Sequence, residues 1–304
     1  MLYVTTRDDL TTYTSEQAIG ERRAPDGGFY IPYKIPKLSY EELRFLRSMS
    51  PCDRVRSIAR RFIRLPDKLL DAYTELGHLC PMGDRVTLCE IFPKGCGSFR
   101  EYVSQLAERL CFSDHTSPLW LAISIRIGAV ASAVVEMMVE SEHLDIVMLS
   151  GDLFGPMTAY LAREMGLPIG DILCCCNENG FFWELLHHGM SRTDQLAVRS
   201  AIPEADTAVP EGLECLIALC CGREEVVRYL EAVRSGRPYV PGEEPLACLR
   251  SAFRATVVTD HGMIRGAHRS RIVPVKADTA LVLAGLLDHW ALNGPRRHAL
   301  VIAE

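Results

Sequence analysis

Residues 89–102 read CEIFPKGCGSFREY. The stretch opens on the apolar pair Ile91-Phe92 and loosens at Gly95 and Gly97. It then turns through Ser98 into a helical run over 99–110. Glycine frees the backbone to turn, so the order expected is strand, loop, helix. Side chains at the close of such a loop, Arg100 first among them, are presented to a cleft rather than to the core. Lys94 lies six positions earlier in the same loop.

The chain around this stretch has 304 residues, enough for one large or two small domains. Its hydrophobic share of 48% and charged share of 24% are those of an ordinary globular protein. A net charge of −6 gives no general attraction to nucleic acid or to an anionic membrane, so neither is expected as a partner. Only five lysines are present, Lys34, Lys37, Lys68, Lys94 and Lys276, which leaves a short choice for any chemistry needing an amine.

The first ten residues, MLYVTTRDDL, lack the basic head and apolar run of a signal peptide, and a cytoplasmic location is expected. Twelve cysteines without an export signal fit a reducing compartment. They lack the paired C-x-x-C spacing of a zinc site and read as small buried hydrophobes, as in the run 174–176; no metal is expected. The longest apolar run, 119–139, is broken by Arg126 and Glu136. A membrane span takes about 20 predominantly apolar residues. The expectation is a buried strand over 119–125 and a helix over 129–139 opened by Gly128.

Outward from the organising stretch, the remaining elements follow the α/β alternation. Residues 3–6 and 86–92 read as strands. Thr14 and Ser15 are candidate caps for a short helix, and Ser39 with Glu42 forms a capping box. Between them, Pro25 and the glycines 27 and 28 make a turn before an extended segment. Residues 48–63 and 67–75 read as helices. Strands are expected over 145–149 and 172–176, each followed by a glycine-containing turn or a polar segment and then a helix. Gly189 and Gly236 close helices, a last helix starts near Lys276, and residues 299–303 read as a strand.

Several of these segments, in order, resemble threonine synthase. That family has a Thr-Arg pair near its start, matched by Thr6-Arg7, then A-x-D-G-G-L-Y-V-P and I-P-x-L-S-x-E-E-L, matched over 24–32 and 35–43. Its cofactor-lysine segment, E-L-F-H-G-P-T-L-A-F-K-D-F, runs in step with 90–102. Further on, M-G-L-P-I and N-E-N stand at 165–169 and 177–179. Weaker likenesses follow at 207–214 and at 276–280. The resemblance covers most of the chain and is densest over 1–45, 86–110 and 145–190.

What the resemblance implies is the two-domain α/β fold of the tryptophan synthase β-subunit class, pyridoxal phosphate fold type II, with part of the small domain missing. The divisions expected are an N-terminal segment over 1–85, a reduced cofactor-lysine domain over 86–145 and a large α/β domain over 146–304. The family is a pyridoxal phosphate-dependent lyase of amino-acid biosynthesis, converting O-phosphohomoserine to threonine. The resemblance also implies site residues. The cofactor-phosphate cradle would be Ser150, Gly151, Asp152, Phe154 and Gly155. The substrate loop would be Ser124, Arg126 and Gly128.

Three departures set this chain apart. The family's lysine position is Arg100, whose guanidinium stays protonated and cannot form the cofactor's imine. The family's S-G-D-T-G loop becomes Ser124-Ile125-Arg126-Ile127-Gly128. A long stretch of the family's small domain is replaced by 140–144. In the cradle, Asp152 stands at the family's asparagine, or Phe154-Gly155 is the family's F-G displaced by one inserted residue. An ionised Asp152 pointing inward would repel phosphate.

Two readings stay open. In one, the chain is a catalytically degenerate relative that binds a small phosphorylated or amino-acid ligand or a protein partner, with pyridoxal phosphate lost or held non-covalently and a homo-oligomer among the assemblies expected. Arg100 then either binds an anion or fills the cleft by pairing with Glu101 or Asp152. In the other, the chain is an active lyase with a relocated lysine, Lys94, which must be more than a solvated loop residue.

Overall fold

The structure, a computed structural model, describes residues 1–64, 79–93, 96–110, 118–138, 142–270, 276–294 and 297–304, leaving out the side chains of 267–270. The helix expected over 67–75 and the relocated-lysine candidate Lys94 lie outside the described residues.

The N-terminal module is built on β1 (Leu2–Thr5), flanked by β2 (Tyr13–Thr14) and β3 (Tyr30–Pro32), both antiparallel to it. Helix α1 (Ser15–Gly20) starts at a Thr14 capping box, and α2 (Tyr40–Ser48) at the Ser39–Glu42 box. In each box the cap hydroxyl accepts an orphan amide while the Glu or Gln side chain returns the bond. Gly27 takes φ 77°, the left-handed turn its sequence anticipates. The 48–63 helix is divided at Met49-Ser50. Ser50 caps a new helix, α3 (Pro51–Ala59), with proline in its first turn.

The main sheet has six strands in the order β4-β5-β9-β6-β7-β8. Strands β4 (Leu79–Gly83) and β5 (Val86–Glu90) form an antiparallel hairpin, and every other pairing is parallel. Helix α4 (Phe99–Arg109) follows β5, capped by Ser98. Next comes α5 (Leu119–Met137). Then β6 (Leu144–Leu149), α6 (Phe154–Glu164), β7 (Ile169–Cys176) and α7 (Phe181–His188) alternate. Helices α8 (Gly212–Cys220), α9 (Arg223–Ser235) and α10 (Glu243–Ala252) precede β8 (Arg254–Val257). Helices α11 (Asp260–Ser270) and α12 (Ala277–Asn293) lead to β9 (Ala299–Ala303), which enters the middle of the sheet between β5 and β6. One sheet therefore takes strands from both sides of the expected boundary at 145/146, and 86–145 adds a strand to it rather than forming a sheet of its own.

The expected strand over 119–125 is a helix. Helix α5 runs unbroken for 19 residues, and 15 of them are buried. Ile123, Ile125 and Ile127 alternate as a strand would, but a helix apolar on all sides shows the same run; length decides between them. Its composition would let it cross a membrane, yet 83% of its most apolar window is buried inside the fold. Gly128 lies mid-helix where α5 meets α3; a Cβ there would stand 2.8 Å from the Val55 carbonyl oxygen. It allows two helices to approach, and does not open one.

Trp120 joins the N-terminal module to this core helix. Its indole donates to the Tyr30 carbonyl at 2.9 Å, and its ring meets Tyr3 edge-on at 4.7 Å and stacks on Phe62. The buried cysteines of β7 behave as the sequence reads them. Cys174, Cys175 and Cys176 are fully buried, and burial pushes each thiol upward, Cys176 to about 11.

Candidate functional site

The carboxyl ends of β5, β9 and β6 open on a cleft of about 510 Å³. This is where a mostly parallel sheet leaves room for ligands, because the following loops splay apart there. The walls are the first turn of α4, one face of α5, the turn from β6 to α6, residues 201–204, the start of α12 and Glu304 beyond β9. The cleft brings together Arg100, Arg126 and all five cradle candidates, Ser150, Gly151, Asp152, Phe154 and Gly155.

Arg100 is the second residue of α4, held there because Ser98 caps the helix. Its side chain is exposed and lines the cleft. The pairings expected for it are not made. Glu101 instead accepts the Gly97 amide at 2.7 Å, and Asp152 accepts the Phe154 amide at 2.9 Å. Among the described residues, Arg100 has no side-chain ion pair. Its guanidinium remains available to an anion in the cleft.

The substrate-loop candidates separate. Ser124 is wholly buried and returns its hydroxyl to the Trp120 carbonyl at 2.6 Å, one turn back on α5. Gly128 faces α3. Only Arg126 points into the cleft. The correction follows from the helix: residues two apart lie on different faces, so Ser124, Arg126 and Gly128 cannot form one loop surface.

Arg126 is mostly buried. Its Nη2 donates to Glu304 Oε2 at 2.7 Å, and its guanidinium lies 4.6 Å from the Phe99 ring centre. The Nε hydrogen is buried and has no acceptor among the described residues. A buried unpaired donor costs about 1–3 kcal/mol, more when charged, so this guanidinium has hydrogen-bonding capacity that no described residue uses. Burial pushes the Glu304 carboxyl above its ordinary range, while Arg126 pulls it back.

The turn into α6 bends through a left-handed residue. The Ser150 carbonyl accepts the Leu153 amide at 2.8 Å, and Leu153 takes φ 68°. A left-handed leucine costs about 1–2 kcal/mol, and here full burial of its side chain holds it. Asp152 caps the helix from one residue further out. Gly212 locks the turn from behind: its amide donates to the Asp152 carbonyl at 2.8 Å, and a Cβ would stand 2.5 Å from that oxygen.

Pyridoxal phosphate fits these residues poorly. Position 100 offers no amine. A phosphate at the α6 turn would meet the Asp152 carboxylate before the Phe154 amide, with Glu304 close beside Gly155.

Sequence reasoning did not assign Lys276, Asp278 or Glu304 to the site. The Lys276 ammonium donates to the Gly97 carbonyl and sits 4.0 Å from the Phe92 ring centre. It is the one lysine among the described residues of the cleft wall. The likeness at 276–280 was its sequence signal; Glu304 carried none. The matched Asn177-Glu178-Asn179 lies behind the wall. Asn177 donates to Ser200 at 2.8 Å and to Asp206 at 2.7 Å, and Asn179 donates to the Val198 carbonyl at 2.8 Å. These bonds hold the segment that carries Ala201, Ile202 and Glu204 to the cleft.

Comparison with known proteins agrees with this architecture. A family profile described as the threonine synthase N terminus matches residues 2–76. Threonine synthase-like 2 of Mus musculus is 26% identical over 164 residues, and that of Rattus norvegicus is 25% identical over the same length. Each match covers 49% of this chain and 34% of the relative, so the chain spans about a third of those relatives' length. The threonine synthase of Brucella melitensis, solved with pyridoxal phosphate bound, superposes with a TM-score of 0.81 at 16% identity. That match covers 100% of this chain and 88% of the other. The yeast enzyme gives 0.80 at 16%, covering 99% and 86%, and the Escherichia coli enzyme 0.72 at 13%, covering 100% and 88%. The fold is that of fold type II threonine synthases, and residues 2–76 are similar to the threonine synthase N terminus.

Proposed function

We propose that this protein has left the family's imine chemistry and binds a small amino-acid-type ligand in the cleft without a covalent cofactor. The observation that carries the reading is Arg100, which stands in the first turn of α4 on the cleft wall, at the position the resemblance gives to the cofactor lysine. Arginine stays protonated and its nitrogens share one delocalised charge, so it binds an anion and does not attack an aldehyde.

The charges of the wall suit a zwitterion. Arg22, Arg100, Arg126 and Lys276 are balanced by Asp152, Glu204, Asp278 and Glu304, four cations to four anions. A ligand carboxylate would take the cleft side of the Arg126 guanidinium, whose Nε lacks a partner among the described residues, in a charge-assisted hydrogen bond. Its ammonium would face the carboxylates.

A second reading also has an observation behind it. Lys276 brings an amine to the same cleft, so a relocated imine lysine need not be Lys94. The two readings differ in whether an aldehyde is captured.

The test is thermal unfolding of the purified protein across the common amino acids, repeated with Arg126→Ala. A ligand that binds only the folded state raises the midpoint as its concentration passes its dissociation constant. At least one amino acid should do so in the native protein and not in the variant. Failure of every amino acid to stabilise the native protein would overturn the reading.

A further inference from the structure

We propose that Asp152 is a built-in anion that closes the N-terminus of α6 to phosphate, so that the cleft takes only unphosphorylated members of its ligand class. The ligand class rests on the reading above; the exclusion of phosphate stands on the turn itself.

Three observations converge. The Asp152 Oδ1 accepts the Phe154 amide at 2.9 Å, and this is the first amide of α6, where an oxyanion would bind. The next amide back, that of Leu153, is taken by the Ser150 carbonyl at 2.8 Å. On the far side, Glu304 Oε1 lies 3.2 Å from the point where a Gly155 Cβ would stand, so a second carboxylate faces the same space. Two guanidiniums beside this turn are already paired, Arg126 with Glu304 and Arg22 with Glu211.

A dianion at the first amide of α6 would therefore meet the Asp152 carboxylate in its place, with Glu304 and its partner Arg126 beside it. Arg100, without an ion pair among the described residues, stands across the cleft on α4. Like charges at hydrogen-bond range disfavour each other strongly when partly desolvated. The arrangement is also fixed in place. Leu153 in the left-handed region sets the direction of the turn, and Gly212 packs against the Asp152 carbonyl, so the backbone that carries the aspartate is held between α6 and α8, and the bond to the Phe154 amide orients its carboxylate.

The experiment uses inorganic phosphate as the probe. Asp152→Asn keeps an oxygen to accept the Phe154 amide and removes only the charge. Phosphate binding is followed by the unfolding midpoint and by phosphorus resonance broadening, with chloride added to hold ionic strength constant. The native protein should show no saturable response. The variant should bind saturably, at least about tenfold more tightly than the weakest binding the titration could detect in the native protein, a difference within the reach of one removed charge. Combining it with Glu304→Gln should tighten binding further. Saturable binding by the native protein equal to that of the variant would overturn the proposal. So would an Asp152→Asn protein that folds, by circular dichroism, and gains nothing. Either failure would leave the amino-acid reading standing, since its own test is stabilisation by an amino acid that is lost in Arg126→Ala.

Discussion

Arg126 Nη2 donates to Glu304 Oε2 at 2.7 Å, which ties the middle of the buried helix α5 to the residue that follows the central strand β9. The pair joins two elements that sequence places 178 residues apart and sets the floor of the cleft. Replacing Arg126 by methionine keeps most of the packing volume and leaves Glu304 without its cation. The expected loss is about 1–3 kcal/mol, the range for stranding a partly buried polar partner. Chemical unfolding of Arg126→Met checks it, and Arg126→Met with Glu304→Gln should recover part of the loss.

Gly128 sets how closely α5 and α3 pack. A Cβ at this position would lie 2.8 Å from the Val55 carbonyl oxygen and 3.1 Å from its Cα, and backbone does not yield as a side chain does. Gly128→Ala should destabilise the protein by about 1–3 kcal/mol, the usual cost of overpacking, despite alanine's better helix propensity. A midpoint in urea unchanged from the native protein would mean the two helices slide apart at little cost.

Besides Trp120, a buried carboxylate holds the N-terminal module to the rest of the fold. Glu214 on α8 accepts the Thr6 hydroxyl at 2.5 Å and the Arg7 Nε at 3.0 Å. Glu214→Gln removes the charge and presents an NH₂ where one acceptor oxygen stood. A loss of about 1–3 kcal/mol is expected. Limited proteolysis should then cut within the first 30 or so residues before the rest of the chain, because contacts to β1 loosen first.

Glu42 gives a pH test. The Ser39 backbone amide and then Arg61 hold its carboxyl down to about 2. A depressed acid contributes stability above its unfolded value, and that contribution is lost as pH falls through the folded value. Stability from this group is therefore complete above about 4.3 and declines toward about 2. Carbon-detected titration of Glu42 should show the low midpoint. Glu42→Gln should flatten the acid limb of the stability curve in that window.

Much of the local structure was legible because its causes are local. The capping boxes at Thr14 and Ser39, the left-handed Gly27 and the closing glycines 189 and 236 each depend on a few neighbouring residues. Helix α5 was misread at its start because alternating isoleucines satisfy both a strand and a helix buried on every side. That error carried into the site: Ser124 and Gly128 could join Arg126 in one surface only if the backbone looped there. The place of β9 at the centre of the sheet was out of reach, since parallel pairing with β5 and β6 joins residues about 200 and 150 positions apart and leaves no local trace. Lys276 and Glu304 reach the cleft by the same long-range closure. The cradle was legible as a turn, but the role of its aspartate depended on Leu153 turning left-handed, which no pattern in the neighbouring residues foretells.

The proposed function stands or falls on whether a lysine of this protein forms an imine with pyridoxal phosphate. The most direct measurement is the intact mass of the native protein after incubation with pyridoxal phosphate and reduction with borohydride, followed by peptide mapping. The account predicts an unchanged mass, and a stoichiometric adduct only when Arg100→Lys is combined with Asp152→Asn. A stoichiometric adduct on native Lys276 or Lys94 would contradict it, and would show that the family's chemistry survives on a relocated amine.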